Sequence, residues 1–345
     1  MNARAEKLVE KLEEPLVVTT PANIRYLTGF VSSNVAVVVE PGRMRLFTDF
    51  RYATAARALP DVEFVETKHE AITHLAESLS GRFGFESTHL TYAAYEQLRD
   101  AELDLVPRSG LVESLRAVKD AGELEKIRRA AAITDEAFRR MAEERFVGRT
   151  ERELAWRMTL LLHELGADEE AFETIVAAGA NGARPHADPG DRVIENGTTI
   201  VVDAGAVLDG YCSDCTRTFV TGGLPDELQR AYDVCLEAQA KGLEAARAGV
   251  EAKQTDAAAR TVIDEAGFGE DFGHGLGHGV GIDVHEAPRV GVTSTDTLVA
   301  NNVVTIEPGI YLEGNGGVRI EDLVIVTEGE PEILSGFTKE PVKVS

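Results

Sequence analysis

The 345-residue chain is long enough for roughly two domains at about 150 residues each, and its composition, 43% hydrophobic and 27% charged, suits a folded protein with a sizeable core. Lys and Arg number 35 against 59 Asp and Glu, a net charge of −24 that repels phosphate backbones and anionic lipid surfaces and argues against nucleic-acid or membrane partners. Cys212, Cys215 and Cys235 are too few for a disulfide framework, no apolar run approaches the ~18 residues of a membrane span, and the charged amino terminus lacks an export signal's apolar core, so a cytoplasmic setting is expected.

Up to about residue 100, short apolar runs at 15–20 and 35–39 alternate with helix-like stretches such as 51–59, the rhythm of a small α/β domain. Asp120 with Glu123 opens a helix whose stripe is Leu124, Ile127, Ala131, Phe138 and Met141. Thr150 with Glu153 opens another, carrying Leu154, Met158, Leu161 and Leu165 and stopping before Gly166. The charged stretch 112–120 separates two domains, 1–115 and 116–345, without a Gly/Ser linker. Beyond Gly166 come strand-like segments at 199–203, 211–220, 303–307 and 318–326, giving a mixed α/β, α+β chain.

Asp203 ends the apolar run Ile200–Val202, and Asp214 follows eleven residues later across an Asp209–Gly210 turn signal. A hairpin around that turn brings the two acids within a position or two of opposition, where directly opposed Cβ atoms are about 4.5–5.5 Å apart. Carboxylates that close are protonated, solvated or holding a cation. A solvated hairpin end is the plainer alternative, weakened by the β-branched run before Asp203.

His274, His278 and His285 lie in FGHGLGHGVGIDVHEAP, where five of the nine positions from Gly273 to Gly281 are glycine. A helix is unfavourable there. An extended chain would put His274, Leu276, His278 and Val280 on one face and the glycines on the other. The spacing matches neither the helical zinc-protease motif nor a dinucleotide or phosphate loop. Glu307 and Glu321 each follow apolar residues, and Arg319, two before Glu321, would share its side of the strand, where an Arg–Glu pair is the simple structural reading. Asp203, Asp214, His278, Glu307 and Glu321 together carry four carboxylates and one imidazole. Two divalent cations would balance that charge, and the oxygen-rich set suits manganese, iron, cobalt or zinc in a dinuclear centre better than a structural zinc.

In this order and context the five residues resemble the ligand set of the M24 metallopeptidases, the pita-bread family that includes methionine aminopeptidase, prolidase and Xaa-Pro aminopeptidase. The resemblance implies two metal ions, with manganese favoured, on Asp203, Asp214, His278, Glu307 and Glu321. It also maps the family's catalytic histidines onto His186 in NGARPHADPG and His285 in VHEAP, with Glu307 shuttling a proton. Arg319 would orient the ligands, and His274 would line the substrate pocket or be structural.

NIRYLTGFVSSN at 23–34, LFTDFRY at 46–52 and VESLRAVKDAGELEKIRRA at the junction resemble the proline-specific members, so the likeness covers about residues 20–326. It implies a small creatinase/prolidase-type amino-terminal α/β domain before a pita-bread catalytic domain, and a homodimer. The implied activity is cleavage of Xaa-Pro dipeptides. Xaa-Pro aminopeptidase action on longer peptides is the alternative, with a non-peptide amide hydrolase or a non-catalytic member of the fold as lesser ones. Cys215 stands beside Asp214 where an aliphatic residue is usual, which would leave the centre sensitive to oxidation.

Overall fold

The apolar runs read in the first hundred or so residues become neighbouring strands of one sheet, buried because helices cover them. The computed structural model describes residues 1–345 and divides them into two units, Met1–Arg116 and Ala117–Ser345. In the first unit, six strands run in the order Glu63–Thr67, Arg43–Asp49, Val35–Glu40, Leu16–Val18, Arg82–Glu86 and Asp104–Arg108. Val35–Glu40 is antiparallel to both neighbours, and the other pairings are parallel. Val17, Val38, Phe47, Leu75, Phe85 and Leu98 share its core.

The second unit opens with the two capping boxes. Asp120 and Glu123 exchange backbone-to-carboxylate hydrogen bonds of 2.9 Å at the start of helix Ala121–Met141, and Thr150 with Glu153 starts Glu151–Glu164. These helices pack Phe138, Leu161 and Met158 against Val202 and Phe219 of a four-stranded sheet ordered Val342–Val344, Cys215–Thr221, Thr199–Ala204 and Ile175–Ala178. Helices Asp226–Ala245 and Ala252–Glu265 place Tyr232, Ala259 and Ile263 in a second core with Leu276, Ile306 and Val324. That core serves a five-stranded sheet ordered Glu286–Val290, Gly277–Gly279, Val303–Ile306, Asp322–Ile325 and Glu332–Ile333, and the ribbon Gly309–Leu312 with Gly316–Arg319. No helix is long and apolar enough to cross a membrane.

Two of the strand-like segments are broken where the sequence reads as continuous. Tyr211–Cys212 pairs with Ala206–Leu208, whereas Cys215–Thr221 pairs with Thr199–Ala204. Likewise Gly316–Arg319 pairs with Gly309–Leu312, and Asp322–Ile325 with Val303–Ile306. The chain changes sheets at each gap, which alternation of apolar residues cannot register. Asp214 and Glu321 sit in these gaps, and Glu307 occupies the step between Val303–Ile306 and Gly309–Leu312.

Candidate active site

Because the chain turns from one sheet to another at Asp214, Glu307 and Glu321, their side chains leave the ladders and enter the same space as Asp203 and His278. Asp203 pairs with Thr216 in register, so Asp214, just before that strand, stands two positions from opposition to Asp203, and both line the same cavity. His278 Nε2 lies 3.2 Å from Glu307 Oε1 and 3.5 Å from Asp214 Oδ2. Asp214, His278 and Glu321 each offer a ligand atom within 4.8 Å of the others, and Asp203 and Glu307 flank this trio. All five line one cavity of about 1200 Å³ together with His186, His274, His285 and Arg319.

The glycine-rich stretch is less regular than its alternation suggests. Only Gly277–Gly279 is a strand, the chain bends at His274 and Leu276, and the register shifts between His278 and Gly279. Leu276 and Val280 therefore enter the apolar core while His274 and His278 face the cavity. The Arg319–Glu321 pair does not form. Arg319 instead donates to Asp203 Oδ2 at 2.6 Å, to Tyr311 Oη at 3.0 Å, to Thr216 Oγ1 at 3.0 Å and to the Pro185 carbonyl at 3.1 Å, the last bond holding the residue before His186.

Burial pushes the carboxyls of Asp203, Asp214 and Glu321 above the usual range. The neighbouring acids add to this for Asp214 and Glu321, and Arg319 only partly offsets it at Asp203. For Glu307 burial is outweighed by the hydrogen bond and charge of His278, which hold it below the usual range. Burial is likewise outweighed at His278, whose bond to Glu307 raises it. The cavity thus concentrates negative charge that protons or cations must neutralise. Asp203 Oδ1 is buried with no hydrogen-bond partner, an acceptor aimed at nothing the chain supplies. A single imidazole among four carboxylates with such an orphaned oxygen fits divalent cations.

Comparison with known proteins agrees with this chemistry. Residues 125–328 match the model of metallopeptidase family M24. The chain belongs to metallopeptidase family M24. Residues 4–118 match the creatinase/prolidase N-terminal domain. An Xaa-Pro dipeptidase of Pyrococcus furiosus is 36% identical over 351 residues, 99% of each chain. A solved Xaa-Pro dipeptidase from Bacillus anthracis superposes with a TM-score of 0.95 at 35% identity, covering 99% of both chains. An X-Pro aminopeptidase from Thermotoga maritima does so at 0.90 and 34%, covering 99% of this chain and all 100% of that one.

Three hydroxyls of this M24 metallopeptidase escaped the sequence reading. Thr216 donates to Glu321 Oε2 at 2.7 Å, and Thr305 accepts from the His278 amide at 3.0 Å and donates to Glu307 Oε1 at 2.9 Å. Tyr311 Oη links Arg319 to His274 Nε2, which is 2.9 Å away. Thr216 and Thr305 each sit two residues from an acid on the list of candidates, a period-2 signal that a threonine in a strand is too ordinary to announce. Cys215 is 2% exposed, and burial pushes its thiol well up, so the expected sensitivity to oxidation has no reactive thiolate behind it.

Proposed function

We propose that this metallopeptidase hydrolyses the bond between an amino-terminal residue and proline, with Xaa-Pro dipeptides as its substrates. The observation that carries the reading is the convergence of Asp203, Asp214, His278, Glu307 and Glu321 in one cavity with His186 and His285, in a chain alike over its full length to proteins named Xaa-Pro dipeptidase. Those five residues would hold two divalent ions, of which manganese suits the oxygen-rich set. When bound, such ions polarise a carbonyl and acidify water.

The chain's own groups do the rest. Glu307 Oε1 accepts from Thr305 Oγ1, which fixes the carboxylate so that Oε2 takes a proton from the attacking water. The same oxygen returns that proton to the proline nitrogen as the C–N bond breaks, leaving a free amino-terminal residue and proline. His186 and His285 are exposed on the cavity wall and hydrogen-bond the scissile carbonyl as its oxygen gains charge. Arg319 fixes Asp203 and, through the Pro185 carbonyl, the approach of His186. A dedicated pocket is useful because proline's nitrogen carries no hydrogen and its ring fixes the backbone.

Arg289 supports the dipeptide limit: it is exposed, lines the cavity and stands opposite His278 in register, where a guanidinium suits a substrate's carboxylate. Similarity to an X-Pro aminopeptidase and the breadth of the cavity favour longer peptides as the second reading. The setting proposed is the cytoplasm, in keeping with three free cysteines, and the assembly a homodimer, as the family resemblance implies. Hydrolysis of an Xaa-Pro dipeptide, the same peptide extended by one residue, and proline-to-alanine versions of both tests the reading. Cleavage of the proline dipeptide alone is expected; cleavage of the extended peptide at an equal rate establishes the second reading, and cleavage of the alanine versions refutes proline specificity.

A further inference from the structure

Lys119 is buried, its side chain 1% exposed, and its ammonium lies 2.8 Å from Glu286 Oε1 on a side chain 6% exposed. A buried ion pair is a weak source of net stability, because desolvation offsets most of its attraction. Its place in the fold points to another purpose. Glu286 follows His285, and its carboxylate folds back against the α-carbon of Gly281, where a Cβ would stand 2.3 Å from Oε1 and 2.7 Å from Cδ. The side chain thus fills the inside of the turn at 281–285. That turn is otherwise tied by the Gly281 amide to the Asp283 carbonyl at 3.0 Å and by the Cys212 amide to the Gly281 carbonyl at 2.8 Å.

Lys119 reaches the carboxylate from a firm base. Its own amide donates to the Asn301 carbonyl at 3.0 Å, its ammonium also reaches the Ala117 carbonyl at 3.4 Å, and the next residue is the Asp120 cap of helix Ala121–Met141. At the other end, the His285 ring packs on His278 with centroids 4.2 Å apart. Lys119 itself does not line the cavity.

We propose that Lys119, acting through Glu286, is a positioning residue that fixes His285 in the cavity. The inference rests on reading His285 as a group that meets the substrate. A displacement of about 1 Å in such a group lowers the rate by as much as about 100-fold.

The test compares Lys119→Met, Lys119→Arg and Glu286→Gln with the parent. Each is measured for kcat and KM on an Xaa-Pro dipeptide, for divalent ions bound per chain, and for the His285 ring resonances in zinc-loaded protein labelled with 13C-histidine. Lys119→Met is expected to lose about tenfold or more in kcat, with KM and bound metal as in the parent and the His285 resonances shifted. Lys119→Arg is expected to recover most of the lost rate. Parent kcat in Lys119→Met, unmoved His285 resonances, or a loss that tracks lost metal overturns the proposal. Glu286→Gln keeps the shape and removes the charge, and decides the matter by the same criteria should Lys119→Met not fold. A metal-loaded parent that cleaves no Xaa-Pro peptide refutes the proposed function instead. The resonances then decide alone, a shift supporting the positioning role and no shift overturning it.

Discussion

Thr216 stands between two of the candidate ligands without being one. It is fully buried, donates to Glu321 Oε2 and accepts from Arg319 Nε, so one hydroxyl orients both the acid and the guanidinium that steadies Asp203. Partners of this kind typically alter metal affinity by about 10–100-fold when removed. Thr216→Val keeps the strand shape, so it is expected to weaken divalent-metal binding by about that factor while the far-ultraviolet circular dichroism stays as in the parent. A competition titration against a chromophoric chelator measures it, and parent affinity would show that the hydroxyl orients nothing of consequence. Asp203, Glu307 and Glu321 were legible as candidates because carboxylates after apolar strand residues are costly unless something pairs with them, Asp214 by its place across the Asp209–Gly210 turn, and His278 as one of three histidines in a glycine-rich stretch. Thr216, Thr305 and Tyr311 were not, because hydroxyls and phenols belong in strands whether or not they touch a site.

At the scale of elements, the informative feature is the interruption. Asp214, Glu307 and Glu321 point into the cavity because the chain changes sheets beside them, and a pattern of period two reads straight across such a change. Capping boxes are local, so helices Ala121–Met141 and Glu151–Glu164 were legible at their caps, Asp120 and Thr150, which bond their own N3 amides, whereas Asp226–Ala245 and Ala252–Glu265 start without a side-chain cap and were not. The bends at His274 and Leu276 were not, since they follow from neighbours distant in sequence. Gly277 shows the constraint most sharply, because a Cβ there would lie 2.0 Å from the Thr305 carbonyl oxygen. Gly277→Ala must push the strand that carries His278 away from Val303–Ile306, which leads into Glu307, and is expected to lower stability by about 1–3 kcal/mol in urea unfolding, the range of overpacked sites. Gly273→Ala, with nothing within 4 Å of the added carbon, serves as the comparison. Equal unfolding midpoints for the two variants would contradict the close approach.

For the whole molecule, a net charge of −24 is compatible with a cavity that gathers cations and with small peptide substrates. It says nothing of where the carboxyl-terminal segment goes, and the structure answers that with long-range contacts. Asp322, fully buried beside Glu321, accepts from Arg217 at 2.9 Å, Lys339 at 2.9 Å and Gln239 at 2.9 Å, while Arg217 also bonds the Phe337 and Thr338 carbonyls. This network ties the last residues to the floor of the site, and its partners are too far apart in sequence for any motif to disclose. The proposed function reduces at this scale to one dependence, that of Xaa-Pro cleavage on metal that the five converging residues would hold. The decisive measurement is the rate of Xaa-Pro dipeptide hydrolysis against divalent ions bound per chain, for the parent and for Asp214→Asn. The rate should rise with occupancy toward two ions, vanish in chelator-stripped protein, and disappear with bound metal in Asp214→Asn. Undiminished hydrolysis by the stripped chain, or full activity in Asp214→Asn with two ions bound, would contradict it.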